Sequence, residues 1–115
     1  MARVTALIGD LLFGSRAVEL LSAAGHDVRL VPSAPEDLAT TADVVVVDLT
    51  TGTVQDGLTG RGPKTLGVFA HVEPEVRERA LAAGFDLVVP RSRFMREGGE
   101  LVTKLAGPEA PSSRT

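Results

Sequence analysis

Cysteine, tryptophan and tyrosine are absent from the 115 residues, and histidine occurs only at His26 and His71. Without Cys there is no disulfide framework, thiolate nucleophile or Cys-based zinc site. Two His cannot build a His-rich metal centre. The missing Trp and Tyr argue against an aromatic base-stacking platform. A net charge of −3 argues against a nucleic-acid partner. Only five or six apolar residues precede Asp10, too few for a signal-peptide core or a membrane span. A cytoplasmic protein with no membrane contact is therefore expected. Lysine is scarce too, with Lys64 and Lys104 against ten Arg, a bias that codon usage explains. What remains is 43% hydrophobic and 23% charged, the composition of one globular domain. A domain of this size buries enough surface to fold without staples.

Short apolar runs alternate with helical stretches. Val4 to Ile8 reads as a buried strand, and Asp10 to Ala24 as a helix whose apolar face is Phe13, Ala17, Leu20 or Leu21, and Ala24. Gly25 is its stop. Val28 to Val31 is a second strand ended by Pro32. Ser33 to Thr41 has the signals of a short helix, with Ser33 as cap and Pro35 in the first turn. Val44 to Val47 is the clearest strand. Four successive valines imply burial on both faces, as in a parallel sheet covered by helices. Residues 49–64 are polar and Gly-rich, with a weak helical turn or two. Leu66 to Ala70 and Leu87 to Val89 complete five strands, the last closed by Pro90.

Glu73 to Ala83 is a helix with Pro74 in its first turn, Gly84 after its end and a Glu75–Arg79 pair four residues apart. A final helix over Glu100 to Ala106 could begin as early as Arg93, and Gly98-Gly99 should weaken its start by about 1 kcal/mol each. Residues 107–115 carry two Pro and no large apolar side chain, so a flexible tail follows a domain of residues 1–106. Five strands alternating with helices predict an α/β domain with right-handed crossovers. Ligands in such sheets sit beyond the carboxyl ends of the strands. That places Gly9, Asp10, Asp48, residues 69–71 and residues 90–93 around any site.

Three stretches resemble the receiver domain of response regulators, a family with the flavodoxin-like fold. Residues 42–49, Ala-Asp-Val-Val-Val-Val-Asp-Leu, resemble the receiver's third strand, which ends in the phospho-accepting Asp. Residues 70–86, ending Ala-Leu-Ala-Ala-Gly-Phe-Asp, resemble its fourth helix and the turn that follows. Residues 20–28 resemble the end of its first helix and its second strand. The resemblance implies a three-layer, doubly wound, five-stranded parallel sheet in the order 2-1-3-4-5. The stretch after Asp48 is short for a receiver, so the third helix is expected to be short or missing.

The departures from the family pattern fall on its chemistry. The family holds Mg²⁺ with an acidic pair after the first strand plus the phospho-acceptor; this chain offers Asp10 and Asp48 as its candidate metal ligands. The family's switch hydroxyl after the fourth strand is replaced by Phe69. Its Lys after the fifth strand falls on Pro90, with Arg91 next. Phosphoryl transfer to a carboxylate needs cations to neutralise the equatorial oxygens, and these substitutions remove two stabilising groups. The resemblance therefore implies a pseudo-receiver: a stand-alone, non-enzymatic signalling or regulatory domain of the two-component type, with its aspartyl-phosphate switch weakened or lost.

Two alternatives stand beside that reading. One is a phosphorylation-competent single-domain regulator using Asp48 with Mg²⁺. The other is a small-ligand-binding or enzymatic α/β domain. Asp48 has the further option of capping a loop or pairing with Arg91. A protein partner or a homodimer is expected on the face of the receiver's fourth helix, fifth strand and fifth helix, with Phe85, Arg93, Phe94 and Met95 as interface candidates. Packing of these apolar residues into the core is the competing expectation. Arg91, Arg93 and Arg96 form a basic patch suited to an anion, a partner or solvent.

Gly9-x₄-Gly14-Ser15-Arg16 resembles a phosphate-binding loop but lacks its Lys and places Leu11, Leu12 and Phe13 where phosphate would lie, so a helix start is the better reading. His71 has no accompanying nucleophile, and Ser15 and Ser22 have no visible triad partners.

Overall fold

The computed structural model describes residues 2–32, 35–49, 62–70 and 74–107. Its elements run β1 (Arg3–Leu7), α1 (Leu11–Ala23), β2 (Asp27–Val31), α2 (Leu38–Thr41), β3 (Val44–Asp48), β4 (Lys64–Phe69), α3 (Pro74–Ala82), β5 (Leu87–Pro90) and α4 (Arg91–Ala106). The five strands form one parallel sheet in the order β2-β1-β3-β4-β5. The expected sheet and strand order are thus both present. Among the described residues there are four helices. The expected shortening of the receiver's third helix, the Ser33 cap and the tail beyond Gly107 lie outside the described residues, as does His71.

The valine run explains why β3 sits in the middle. Val44 and Val46 enter one core with Phe13, Leu21, Phe94 and Val102, under α1 and α4. Val45 and Val47 enter a second core with Leu38, Val76, Phe85 and Val88, under α2 and α3. Alternate side chains of a strand face opposite layers, so a strand covered on both sides must be apolar throughout.

Two boundaries differ from expectation. The helix after Pro32 is only the single turn Leu38–Thr41, with Asp37 at its cap position. The last helix starts at once after β5, at Arg91, and runs through Gly98-Gly99. Those glycines are not weak points at its edge. A Cβ on Gly98 would lie 2.8 Å from Leu20 Cδ1, and one on Gly99 would lie 2.6 Å from Ala24 Cβ. Close approach of α1 and α4 is what requires them, and it outweighs their cost in helix propensity. Gly25 and Gly84 end α1 and α3 at φ of 92° and 104°, a region open to glycine.

Polar groups tie the loops to the sheet. Asp86 Oδ2 accepts from Thr65 N at 2.8 Å and from Thr65 Oγ1 at 3.1 Å, while Asp86 N donates to Thr65 Oγ1 at 3.1 Å. The buried His26 accepts from Ala2 N through Nδ1 at 3.1 Å, leaving Nε2–H to donate to Gly99 O at 3.1 Å. Asp43 accepts from Arg3 N at 2.8 Å and pairs with the Arg3 guanidinium at 3.2 Å.

Candidate functional site at the strand ends

The carboxyl ends of β1, β3 and β5 bring three sequence-predicted residues together. Asp48 ends β3 with a side chain only 10% exposed. Asp10 follows β1 and caps α1: its Oδ1 accepts from Leu12 N at 3.0 Å and Phe13 N at 3.2 Å. Arg91 is the first residue of α4. Pro90 fixes the backbone just before it and occupies the helix cap position at φ −72°, ψ 157°. The chain therefore turns from strand to helix without a linker, and Arg91 is delivered to the strand ends.

The guanidinium of Arg91 lies between the two carboxylates. Its Nη2 donates to Asp48 Oδ2 at 3.0 Å and stands 3.6 Å from Asp10 Oδ2. Its Cζ is 4.1 Å from the centre of the Phe13 ring. The ring's negative face attracts the cation, and Phe13 is itself held edge-to-face against Phe94, with centroids 5.9 Å apart. The hydrogen bond from Phe13 N, helped by that from Leu12 N and by the Arg91 charge, holds the Asp10 carboxyl below its ordinary range against a smaller desolvation effect.

The predicted metal ligands therefore meet a cation of the protein itself. Mg²⁺ prefers octahedral oxygen ligands and retains several waters. Here one Asp10 oxygen caps a helix, and Arg91 lies against both carboxylates. Among the described residues no group of three or more His, Asp or Glu is placed to hold a metal ion. The residues present do not fit a bound Mg²⁺ in this arrangement.

The other predicted positions divide sharply. Phe69 ends β4 and is buried in the second core with Val45 and Val76, on the side of the sheet away from Asp48. Phe85 and Phe94 are 4% and 0% exposed, so these two interface candidates are core residues. Their rings fill the two layers on either side of the sheet. Arg93 is at the surface, 3.5 Å from Glu97. Met95 is 37% exposed, but it borders α1: with Leu12, Phe13, Arg16, Arg91 and Asp10 it lines a cleft of about 270 Å³.

The phosphate-loop likeness is resolved as a helix start. Asp10 already takes the amide hydrogens a phosphate would need, and Gly14 makes room for Leu30, whose Cδ2 would lie 3.0 Å from a Cβ there. Sequence reasoning missed Phe13 as the platform for Arg91. Its helical period marks it as core, and nothing in the sequence pairs it with a residue 78 positions away. Also missed were Leu11 and Leu12, 77% and 71% exposed at the start of α1.

No protein-family model matches the sequence, and neither does any curated protein. Solved structures do match in shape. The response regulator receiver protein from Burkholderia phymatum is similar at a TM-score of 0.76 and 23% identity, over 96% of this chain and 99% of that one. The chain has the receiver-domain fold. A receiver domain protein from Clostridium thermocellum gives 0.73 at 13% identity, covering 95% and 97% of the two chains. A DNA-binding response regulator of the LuxR family from Staphylococcus aureus gives 0.71 at 17%, covering 93% and 100%. Against this fold, α3, β5 and α4 stand where a receiver's fourth helix, fifth strand and fifth helix stand. Among the described residues no helix is long and apolar enough to cross a membrane.

Proposed function

We propose that this chain is a cytoplasmic pseudo-receiver: a non-enzymatic signalling domain that acts by protein–protein contact, with the aspartyl-phosphate switch lost. The observation that carries the reading is the Arg91 guanidinium 3.0 Å from Asp48 and 3.6 Å from Asp10. A phospho-acceptor needs an accessible carboxylate oxygen and cations aimed at the incoming phosphoryl group. Asp48 is mostly buried, and its Oδ2 accepts from Arg91. Phe69 supplies no hydroxyl and Pro90 no ammonium group.

The partner is a protein or a second copy of this chain, engaged through the face of α3, β5 and α4, where Arg93 is exposed. The net charge of −3 supports a protein over a nucleic acid.

The test is thermal melting with Mg²⁺ and beryllofluoride, a mimic of the aspartyl-phosphate group, on wild type and Asp48→Ala. Circular dichroism is the suitable readout, since the chain has no Trp or Tyr. No ligand-induced shift is expected in either protein. A rise in wild type that vanishes in Asp48→Ala would instead establish a working phosphate site on Asp48.

A further inference from the structure

At the strand ends two carboxylates share one cation supplied from within the chain. Asp10 and Asp48 come from different strand ends, and two facing carboxylates repel unless a cation lies between them. Arg91 meets that need from within the chain, and three features hold it there. Pro90 and the immediate start of α4 fix its backbone. The Phe13 ring lies under the guanidinium, its centre 4.1 Å from Cζ. The Asp48 hydrogen bond at 3.0 Å anchors one nitrogen. A flexible lysine ammonium would lack the planar face that stacks on Phe13.

We infer that Arg91 is the resident cation of this site: its guanidinium fills the space between Asp10 and Asp48, closes it to divalent metal ions, and on removal leaves a carboxylate pair that takes up a divalent ion. The role rests on the switch-lost reading of the site and deepens it. A site whose two carboxylates share the protein's own arginine keeps one charge state whatever the Mg²⁺ or phosphodonor level. Its partner contacts are then independent of both.

Loss of free Mn²⁺ signal in electron paramagnetic resonance measures uptake directly, with no need for activity. Wild type, Arg91→Ser, Arg91→Gln and Arg91→Gln with Asp48→Asn are titrated with Mn²⁺. Arg91→Gln is shorter than arginine but keeps more of the side chain than Arg91→Ser, and so guards against loss of fold in the smaller variant. Both single variants are expected to bind Mn²⁺ about tenfold or more tightly than wild type, as expected for removal of one unit charge at this range. Addition of Asp48→Asn is expected to abolish the gain. The same ion should raise the melting temperature of Arg91→Gln and leave that of wild type unchanged.

Folded Arg91 variants that bind Mn²⁺ no better than wild type would overturn this role for Arg91. Silence of wild type towards beryllofluoride would then still uphold the switch-lost reading. Wild type binding Mn²⁺ as tightly as Arg91→Gln would also overturn the role, and a beryllofluoride shift in wild type would overturn the reading beneath it.

Discussion

Gly99 of α4 faces Ala24 at the end of α1 so closely that a Cβ on Gly99 would stand 2.6 Å from the Cβ of Ala24. Neither atom is the end of a flexible side chain, so one backbone must move to admit a methyl group. Overpacking of this kind costs about 1–3 kcal/mol, against about 1 kcal/mol of helix propensity gained by Gly→Ala. Gly99→Ala is therefore expected to lower stability by about 1 kcal/mol, a fall of about 4–8 °C in a domain this small. At Gly98 the nearest atom is the terminal methyl of Leu20, which can turn away. Gly98→Ala should melt higher than Gly99→Ala, and equal melting temperatures would refute the difference.

His26 ties the start of the chain to α4. Its ring joins Ala2 N to Gly99 O, and Ala2 N belongs to a residue only 1% exposed. His26→Phe keeps a ring but strands that amide hydrogen. A buried unsatisfied donor costs about 1–3 kcal/mol. Denaturant unfolding should show a loss of about 2 kcal/mol with an unchanged m-value.

The Asp86–Thr65 exchange fixes the turn between α3 and β5 on the start of β4. Asp86→Ala leaves Thr65 N without its carboxylate partner and is expected to cost about 1–3 kcal/mol. Asp86→Asn retains an acceptor and should cost less. Hydrogen exchange at the Thr65 amide should accelerate in Asp86→Ala more than in Asp86→Asn.

Stability should fall on acidification, and Asp43 should account for part of the fall. Burial pushes its carboxyl up, but the Arg3 side-chain and backbone hydrogen bonds, with the Arg3 charge, hold it below the ordinary value of 3.8. A group depressed in the folded state stabilises above its unfolded pKa, and that stability drains as pH falls through the folded one. Melting temperatures of wild type should therefore drop below pH 3.8, as both Asp43 and the similarly depressed Asp10 protonate. Asp43→Asn should be less stable than wild type near neutrality, with the gap narrowing in acid. A constant gap across that range would remove Asp43 from the acid response.

The strand-end cation can also be read in stability. Arg91→Ser removes the charge between two carboxylates and the contact with Phe13, so it should destabilise. Adding Asp48→Asn to it should recover part of the loss, because the repulsion between Asp48 and Asp10 that Arg91 had offset is then removed. Additive effects of the two changes would mean the pair is uncoupled.

The sequence by itself determined the sheet. The Val44–Val47 run demands apolar cover on both faces, and the alternation of such runs with helical stretches leaves a parallel α/β sheet as the arrangement that satisfies it. Asp48 at the end of that run, and Arg91 after Pro90, were legible as residues at the carboxyl ends of the strands, where a site in such a sheet lies. Tertiary structure alone decided which cation Asp48 meets, because a pairing across 43 residues leaves no local pattern. It also decided that Phe85 and Phe94 turn inward while Leu11 and Leu12 face out. Helical period identifies an apolar face, but layer packing chooses what covers it. The glycines of α4 teach the same lesson: propensity read Gly98-Gly99 as weakening the start of the helix, and contact with Leu20 and Ala24 made them the point where two helices meet.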